Sequence, residues 1–187
     1  MSELSIRQFP CLSDNYGFLI HDAASGETAT IDTPDPERIL AEAKAAGWTI
    51  TQIWNTHHHF DHAGGNAAIK AATGARIVAP AYESDRIAGI DQPVHDGDSV
   101  WLGKIEAKVI FTPGHTSGHI VYSLPDEQVA FVGDTLFALG CGRLFEGTPQ
   151  QMWASLSRLA RLPDDTVIYC AHEYTQANAR FALSLDP

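Results

Sequence analysis

Apolar residues in this chain gather in short runs bounded by glycine, proline and acidic residues, which predicts strands more than long helices. Residues 4–9, 16–21 and 28–31 read as three strands, with Gly26 turning the chain between the last two. Pro34 and Pro36 then break the pattern, and the alanine-rich stretch 37–46 reads as a helix stopped by Gly47. A buried strand at 50–54 precedes a helix at 65–73, a strand at 76–79 and a short helical segment at 82–86. Residues 91–97 are expected to form a loop. Strands follow at 100–102 and 106–112, and a further pair at 120–124 and 129–132 flanks Pro125-Asp126-Glu127. Thr148 suits the cap of a helix over 149–162 that starts with Pro149. The last strand is 166–170 and the last helix 174–185. Strands come first as meanders and later alternate with helices, in two successive halves without linker or repeat. The expected architecture is a single α/β domain over residues 1–187, an αββα sandwich of two mixed sheets flanked by helices.

Composition narrows the function classes. No apolar run approaches the roughly 20 residues that span a bilayer, and Met1-Ser2-Glu3-Leu4-Ser5 does not open like a signal peptide. A formal net charge of −11 argues against a nucleic-acid partner, which would require a basic face. It also leaves an anionic substrate short of positive charge, which two bound metal ions would supply. Cys11, Cys141 and Cys170 are odd in number and form no CxxC pair, so they read as small core residues in a reducing, cytoplasmic setting.

One stretch stands apart: Thr56-His57-His58-His59-Phe60-Asp61-His62, followed by Ala63-Gly64-Gly65. In extended backbone the side chains alternate, so His57, His59 and Asp61 share one face and His58 and Phe60 the other. A turn into helix at Asp61-His62 swings His62 back toward the same point. Three imidazoles and a carboxylate at a strand end form a ligand set suited to zinc, iron or manganese. His115, Asp134 and His172 also follow β runs, at the kind of edge where sites collect. Six or seven ligands exceed what one tetrahedral ion uses, so two ions are expected, bridged by Asp134 or Asp61. Ions about 3.5–4 Å apart would hold a hydroxide and polarise a carbonyl. Among the other histidines, His58 points away as a supporting residue, and His119 is expected to order the Thr116-Ser117-Gly118 turn. Asp32, at a strand end, is a candidate for orienting a ligand.

The set His57-x-His59-x-Asp61-His62, His115, Asp134 and His172 resembles the metal signature of the metallo-β-lactamase superfamily. Within it the chain is similar to glyoxalase II, the hydroxyacylglutathione hydrolases, nearly end to end. The likeness includes Leu12-Ser13-Asp14-Asn15-Tyr16, Gly133-Asp134-Thr135-Leu136-Phe137, the run from Gly140 to Thr148, and His172-Glu173-Tyr174-Thr175. The resemblance implies that His57, His59 and His115 hold one ion, Asp61, His62 and His172 the other, and that Asp134 bridges them. It implies that Arg143, Phe145 and Tyr174 contact the glutathione part of a thioester. Glyoxalase II enzymes usually continue into a helical C-terminal domain, whereas this chain stops at Ser184-Leu185-Asp186-Pro187.

The expected activity is hydrolysis of S-(2-hydroxyacyl)glutathione, typified by S-lactoylglutathione, in a monomeric enzyme with two divalent ions, zinc foremost. Asp61 would orient the attacking hydroxide and Asp134 would bridge, making them the expected catalytic carboxylates. The rivals on the same fold are a glutathione persulfide dioxygenase and another ester or lactone hydrolase. A metal-binding domain without activity is the rival of a different class.

Overall fold

The computed structural model describes residues 4–185. In chain order the strands and helices are β1 (Leu4–Cys11), β2 (Asn15–Asp22), β3 (Thr28–Ile31), α1 (Pro36–Ala46), β4 (Gln52–Trp54), α2 (Phe60–Ala63), α3 (Asn66–Thr73) and β5 (Arg76–Pro80). They continue as β6 (Gln92–Val94), β7 (Ser99–Leu102), β8 (Ile105–Phe111), β9 (Ile120–Leu124), β10 (Val129–Gly133), β11 (Leu136–Phe137), β12 (Gly140–Cys141), α4 (Pro149–Leu159), β13 (Val167–Cys170) and α5 (Thr175–Leu185).

Two sheets carry the fold. The first has the order β1-β2-β3-β4-β5-β6, and the second β13-β10-β9-β8-β7. The β1-β2-β3 meander is antiparallel, whereas β3, β4, β5 and β6 run parallel: α1 makes the first crossover, α2 and α3 the second, and residues 81–91 the third. Period-2 alternation sends each strand's residues to two faces, and here both faces are covered. Phe18 and Ile20 of β2 join Trp54, Val109, Tyr122 and Phe131 in a core between the sheets. Leu19 points the other way, into a core with Ile39 and Ala43 of α1 and Ile69 of α3. Val121 and Val132 face Leu159 of α4. The αββα sandwich is therefore borne out.

Local chemistry sets the helix ends. Asp35 accepts from Arg38 N–H at 3.0 Å ahead of Pro36, and Gly47 closes α1 in the left-handed region at φ 73°. Thr148 and Gln151 form a capping box at the start of α4. Three expectations need correction. The helix expected over 149–162 ends at Leu159, because Pro163 disfavours helical backbone before it and the chain tightens through Arg161 N–H to Arg158 and Leu162 N–H to Leu159. Residues 91–97 are not all loop: β6 lies within them as a short edge strand, where Pro93 is tolerated since no further strand needs its N–H. The expected helical segment at 82–86 is a 3-10 turn at Ala81–Glu83. Among the described residues no helix is long and apolar enough to cross a membrane.

Candidate metal centre

Each residue of the predicted ligand set sits just past the end of a strand, and the two sheets bring those ends to one edge. After β4 the chain passes Asn55 and Thr56 and enters α2, and that turn places His62 back beside His57, ring centres 4.0 Å apart. Asp32, one residue beyond β3, fastens the turn from below. It takes a left-handed φ of 57°, a conformation aspartate tolerates better than most residues. Its carboxylate accepts the Thr56 N–H at 2.7 Å and the Thr56 hydroxyl at 2.8 Å, and lies 2.9 Å from His62 Nδ1. The expectation for Asp32 thus has its geometry.

The ligand atoms converge in three overlapping groups: His57 with His59 and His115, His57 with His62 and Asp134, and Asp61 with His62 and His172. His59 Nδ1 lies 3.0 Å from both His57 Nε2 and His115 Nε2. Asp134 reaches to both sides. Its Oδ2 is 3.3 Å from His115 Nε2, while Oδ1 is 3.4 Å from His62 Nε2 and 3.3 Å from His172 Nε2. Asp61 Oδ2 stands 3.5 Å from the Nε2 atoms of His62 and His172.

The far ring nitrogens show which atoms are free to bind. His115 Nδ1 donates to the Arg143 carbonyl at 2.8 Å, His62 Nδ1 to Asp32, and His172 Nδ1 to Asp14 Oδ1 at 2.8 Å. An acceptor on one nitrogen leaves the other as a lone pair. With the rings neutral, three such lone pairs face one another and the Asp134 carboxylate. Among the described residues Asp134 Oδ1 is the buried side-chain oxygen that makes no hydrogen bond. Unfilled lone pairs packed in an enclosed place repel and are costly, so the donor set calls for a cation and fits divalent ions with nitrogen and oxygen ligands.

The electrostatics agree. Burial pushes His57 far down, and burial with the neighbouring His115 brings His59 to about 4, so both are neutral donors. Burial opposes protonation of His62 too, but Asp134 and Asp32 overrule it and raise the ring to about 9. Burial likewise opposes ionisation of Asp134, but His62 and His172 hold its carboxyl well below the usual range. A divalent ion bound here would displace the proton that His62 otherwise carries.

Above the ligands opens a cleft of about 890 Å³. Arg143, Phe145 and Tyr174 all line it, together with Phe60 and Phe137. Tyr174 stacks on His172 with ring planes 2° apart, and Phe145 sets its edge against His59 and His115.

Two expectations fail here. His119 does not order the 116–118 turn. Its Nε2 accepts the Asp134 N–H at 3.1 Å and its Nδ1 meets the hydroxyls of Thr112 and Thr135, because the ring is buried behind the ligands. Cys141 is not a core residue but is exposed in β12 and lines the cleft, whereas Cys11 is buried and its thiol is pushed up to about 11 by burial. The sequence reading assigned no role to Asp14, which orients His172, or to Asn15, whose Nδ2 donates to Asp61 Oδ2 at 3.1 Å. Their adjacency at the start of β2 was the available signal. Glu83 carried none.

Comparison with known proteins places this geometry. The pattern of the metallo-beta-lactamase superfamily matches residues 19–172. A hydroxyacylglutathione hydrolase of Maricaulis maris is 73% identical over 187 residues, covering all of this chain and 73% of that protein. Among solved structures, ETHE1 from Myxococcus xanthus superposes with a TM-score of 0.82 at 34% identity, covering 91% of this chain and 76% of that one. TTHA1623 in a di-iron-bound form superposes at 0.74 with 26% identity, covering 90% of this chain and 92% of that one. With its donor set at the common edge of two sheets, the chain belongs to the metallo-beta-lactamase superfamily and, within it, to the hydroxyacylglutathione hydrolases.

Proposed function

We propose that this chain is a metal-dependent thioesterase, one catalytic domain over residues 1–187, that hydrolyses S-(2-hydroxyacyl)glutathione such as S-lactoylglutathione to the hydroxy acid and glutathione. The observation that carries it is the set of facing lone pairs around Asp134 Oδ1 at the floor of an open cleft. The 73% identical relative named hydroxyacylglutathione hydrolase gives the substrate class. His57, His59 and His115 would hold one ion, Asp61, His62 and His172 the other, and Asp134 would bridge. Zinc is the proposed metal. Iron is the alternative that the di-iron-bound TTHA1623 supports. Bound there, divalent ions supply Lewis acidity, bringing the pKa of water from 15.7 to about 7 and drawing charge from a carbonyl oxygen.

The chain's own residues do the rest. Arg143, Phe145 and Tyr174 hold the glutathione portion over the ligands, which turns attack into a local event. Asp61 is set to accept a hydrogen bond from the attacking water and orient it. Burial raises its pKa, but His62 and the Asn15 amide more than compensate, so it is ionised and accepting at neutral pH. Water is split between the products: the oxygen goes to the acyl carbon and the proton to the departing sulfur. The three unpaired thiols suit a reducing, cytoplasmic setting.

The test is hydrolysis of S-lactoylglutathione with metals counted in the same preparation. Two ions per chain and saturable turnover are expected, and Asp134→Ala should lose both. Full turnover by metal-stripped Asp134→Ala protein would overturn the reading. One iron per chain with oxygen uptake on glutathione persulfide would turn it to the dioxygenase.

A further inference from the structure

Glu83 is a carboxylate with a fully enclosed side chain, and it belongs to none of the ligand groups. Enclosing a charge is costly unless its lone pairs are filled. Here three donors fill them. Oε1 accepts the Thr116 hydroxyl and, at 3.1 Å, the Gly118 N–H. Oε2 lies 2.9 Å from His58 Nδ1. The fit is close enough to dictate a neighbour: a Cβ on Gly118 would stand 2.3 Å from Glu83 Cγ.

The partners matter for what they flank. His58 sits between His57 and His59, and Thr116 follows His115 directly. Glu83 thus ties together the two loops that supply the His57-His59-His115 group, which come from opposite sheets. Glu146 reinforces the same clasp from outside. It accepts the Ser117 N–H at 2.7 Å, pairs with Arg86 at 2.5 Å, and lies 3.7 Å from His58 Nε2. The other group has supports of its own, Asp14 on His172 and Asn15 on Asp61, while Asp32 serves both, on His62 and on Thr56, whose hydroxyl meets His57 Nδ1 at 3.0 Å. Among the described residues the Glu83 side chain makes no hydrogen bond or ion pair to Asp32, Asp14 or Asn15.

We propose that Glu83 is a positioning residue for one of the two ion sites, holding the His115 loop against the His57–His59 segment and leaving the Asp61-His62-His172 site to Asp14 and Asn15. The proposal rests on the ligand assignment above. It makes the two sites separable by substitutions at residues that touch no ion.

The experiment titrates Zn²⁺ into the full chain against a chromophoric chelator, for wild type and variants. Wild type should take up two ions. Glu83→Ala should weaken one of them by about 10–100-fold, the usual effect of losing a ligand's supporting partner, and leave the other within a few-fold. Glu83→Gln keeps an oxygen for Thr116 and Gly118 and should restore most of the loss. Asp14→Ala, which removes the acceptor on His172 Nδ1, should weaken the other ion, and the double variant both. Should Glu83→Ala fail to fold, Thr116→Val decides, because it removes the same tie from the loop side. Equal weakening of both ions, or of neither, in Glu83→Ala or Thr116→Val overturns the proposal. Fewer than two ions on wild type would instead overturn the ligand assignment, and the proposal with it.

Discussion

At the scale of the residue, Gly142 has room for a hydrogen and nothing larger. A Cβ there would lie 2.0 Å from the Asp134 carbonyl oxygen and 3.0 Å from His115 Nδ1. Overpacking of this kind costs about 1–3 kcal/mol. Because the atoms that must yield belong to two ligand-bearing residues, Gly142→Ala should lose bound metal as well as stability. Elemental analysis beside a melting curve checks this, and a destabilised variant with full metal content would contradict it. Arg143 separates two functions within one residue. Its carbonyl orients His115, whereas its side chain lines the cleft. Arg143→Ala keeps the carbonyl, so steady-state kinetics should show KM raised about tenfold or more with kcat nearly intact, the mark of binding that is uniform along the reaction. A fall in kcat alone would assign the side chain to the chemistry instead.

Elements respond through their caps and ties. The capping box at Thr148 starts α4, which packs Leu159 against Val121 and Val132 and lies outside the ligand groups. Thr148→Ala should cost about 1 kcal/mol, a melting shift of about 2–4 °C, with turnover unchanged. Glu146 joins the 116–118 loop to Arg86. Burial works to raise its pKa, but the Ser117 amide and the Arg86 guanidinium prevail and hold it at about 2, below its ordinary 4.5. A depressed carboxyl contributes stability that is complete above 4.5 and disappears as pH falls toward 2, since the unfolded chain takes up its proton first. Glu146→Gln should therefore be less stable than wild type by about 1 kcal/mol at neutral pH, with the gap closing across that acid window. Denaturant titrations at several pH values measure it, and a gap constant with pH would refute the assignment.

For the molecule as a whole, ions bound at the proposed site would act as a clasp between layers. His57, His59, Asp61 and His62 follow β4 of the first sheet, whereas His115, Asp134 and His172 follow β8, β10 and β13 of the second. An ion bound only by the folded chain stabilises it by mass action, about 4 kcal/mol at a free concentration 1,000 times Kd. At about 2–4 °C per kcal/mol, chelation should lower the melting temperature by about 8–16 °C. Calorimetry with and without chelator decides, and an unchanged melting temperature would mean that no ion joins the sheets.

The division between sequence and tertiary structure follows the range of the interactions involved. Strand alternation, the Pro-started capped helices and the spacing of His57, His59, Asp61 and His62 are local, set by backbone period and by neighbours a few residues away. They were legible in the chain, and the architecture followed from them. Of the carboxylates behind the ligands, Asp32 was legible from its place at a strand end, whereas Asp14 and Glu83 were not. Asp14 meets His172 across 158 positions, and Glu83 meets Thr116 across 33, contacts that exist only once both sheets have closed. Position in the folded edge, and no local pattern, likewise set His119 behind Asp134 and Cys141 at the cleft. Residue types and spacings determined the metal chemistry and the layers. Burial and long-range pairing decided which nitrogen of each histidine is free and which acidic residue supports which ligand.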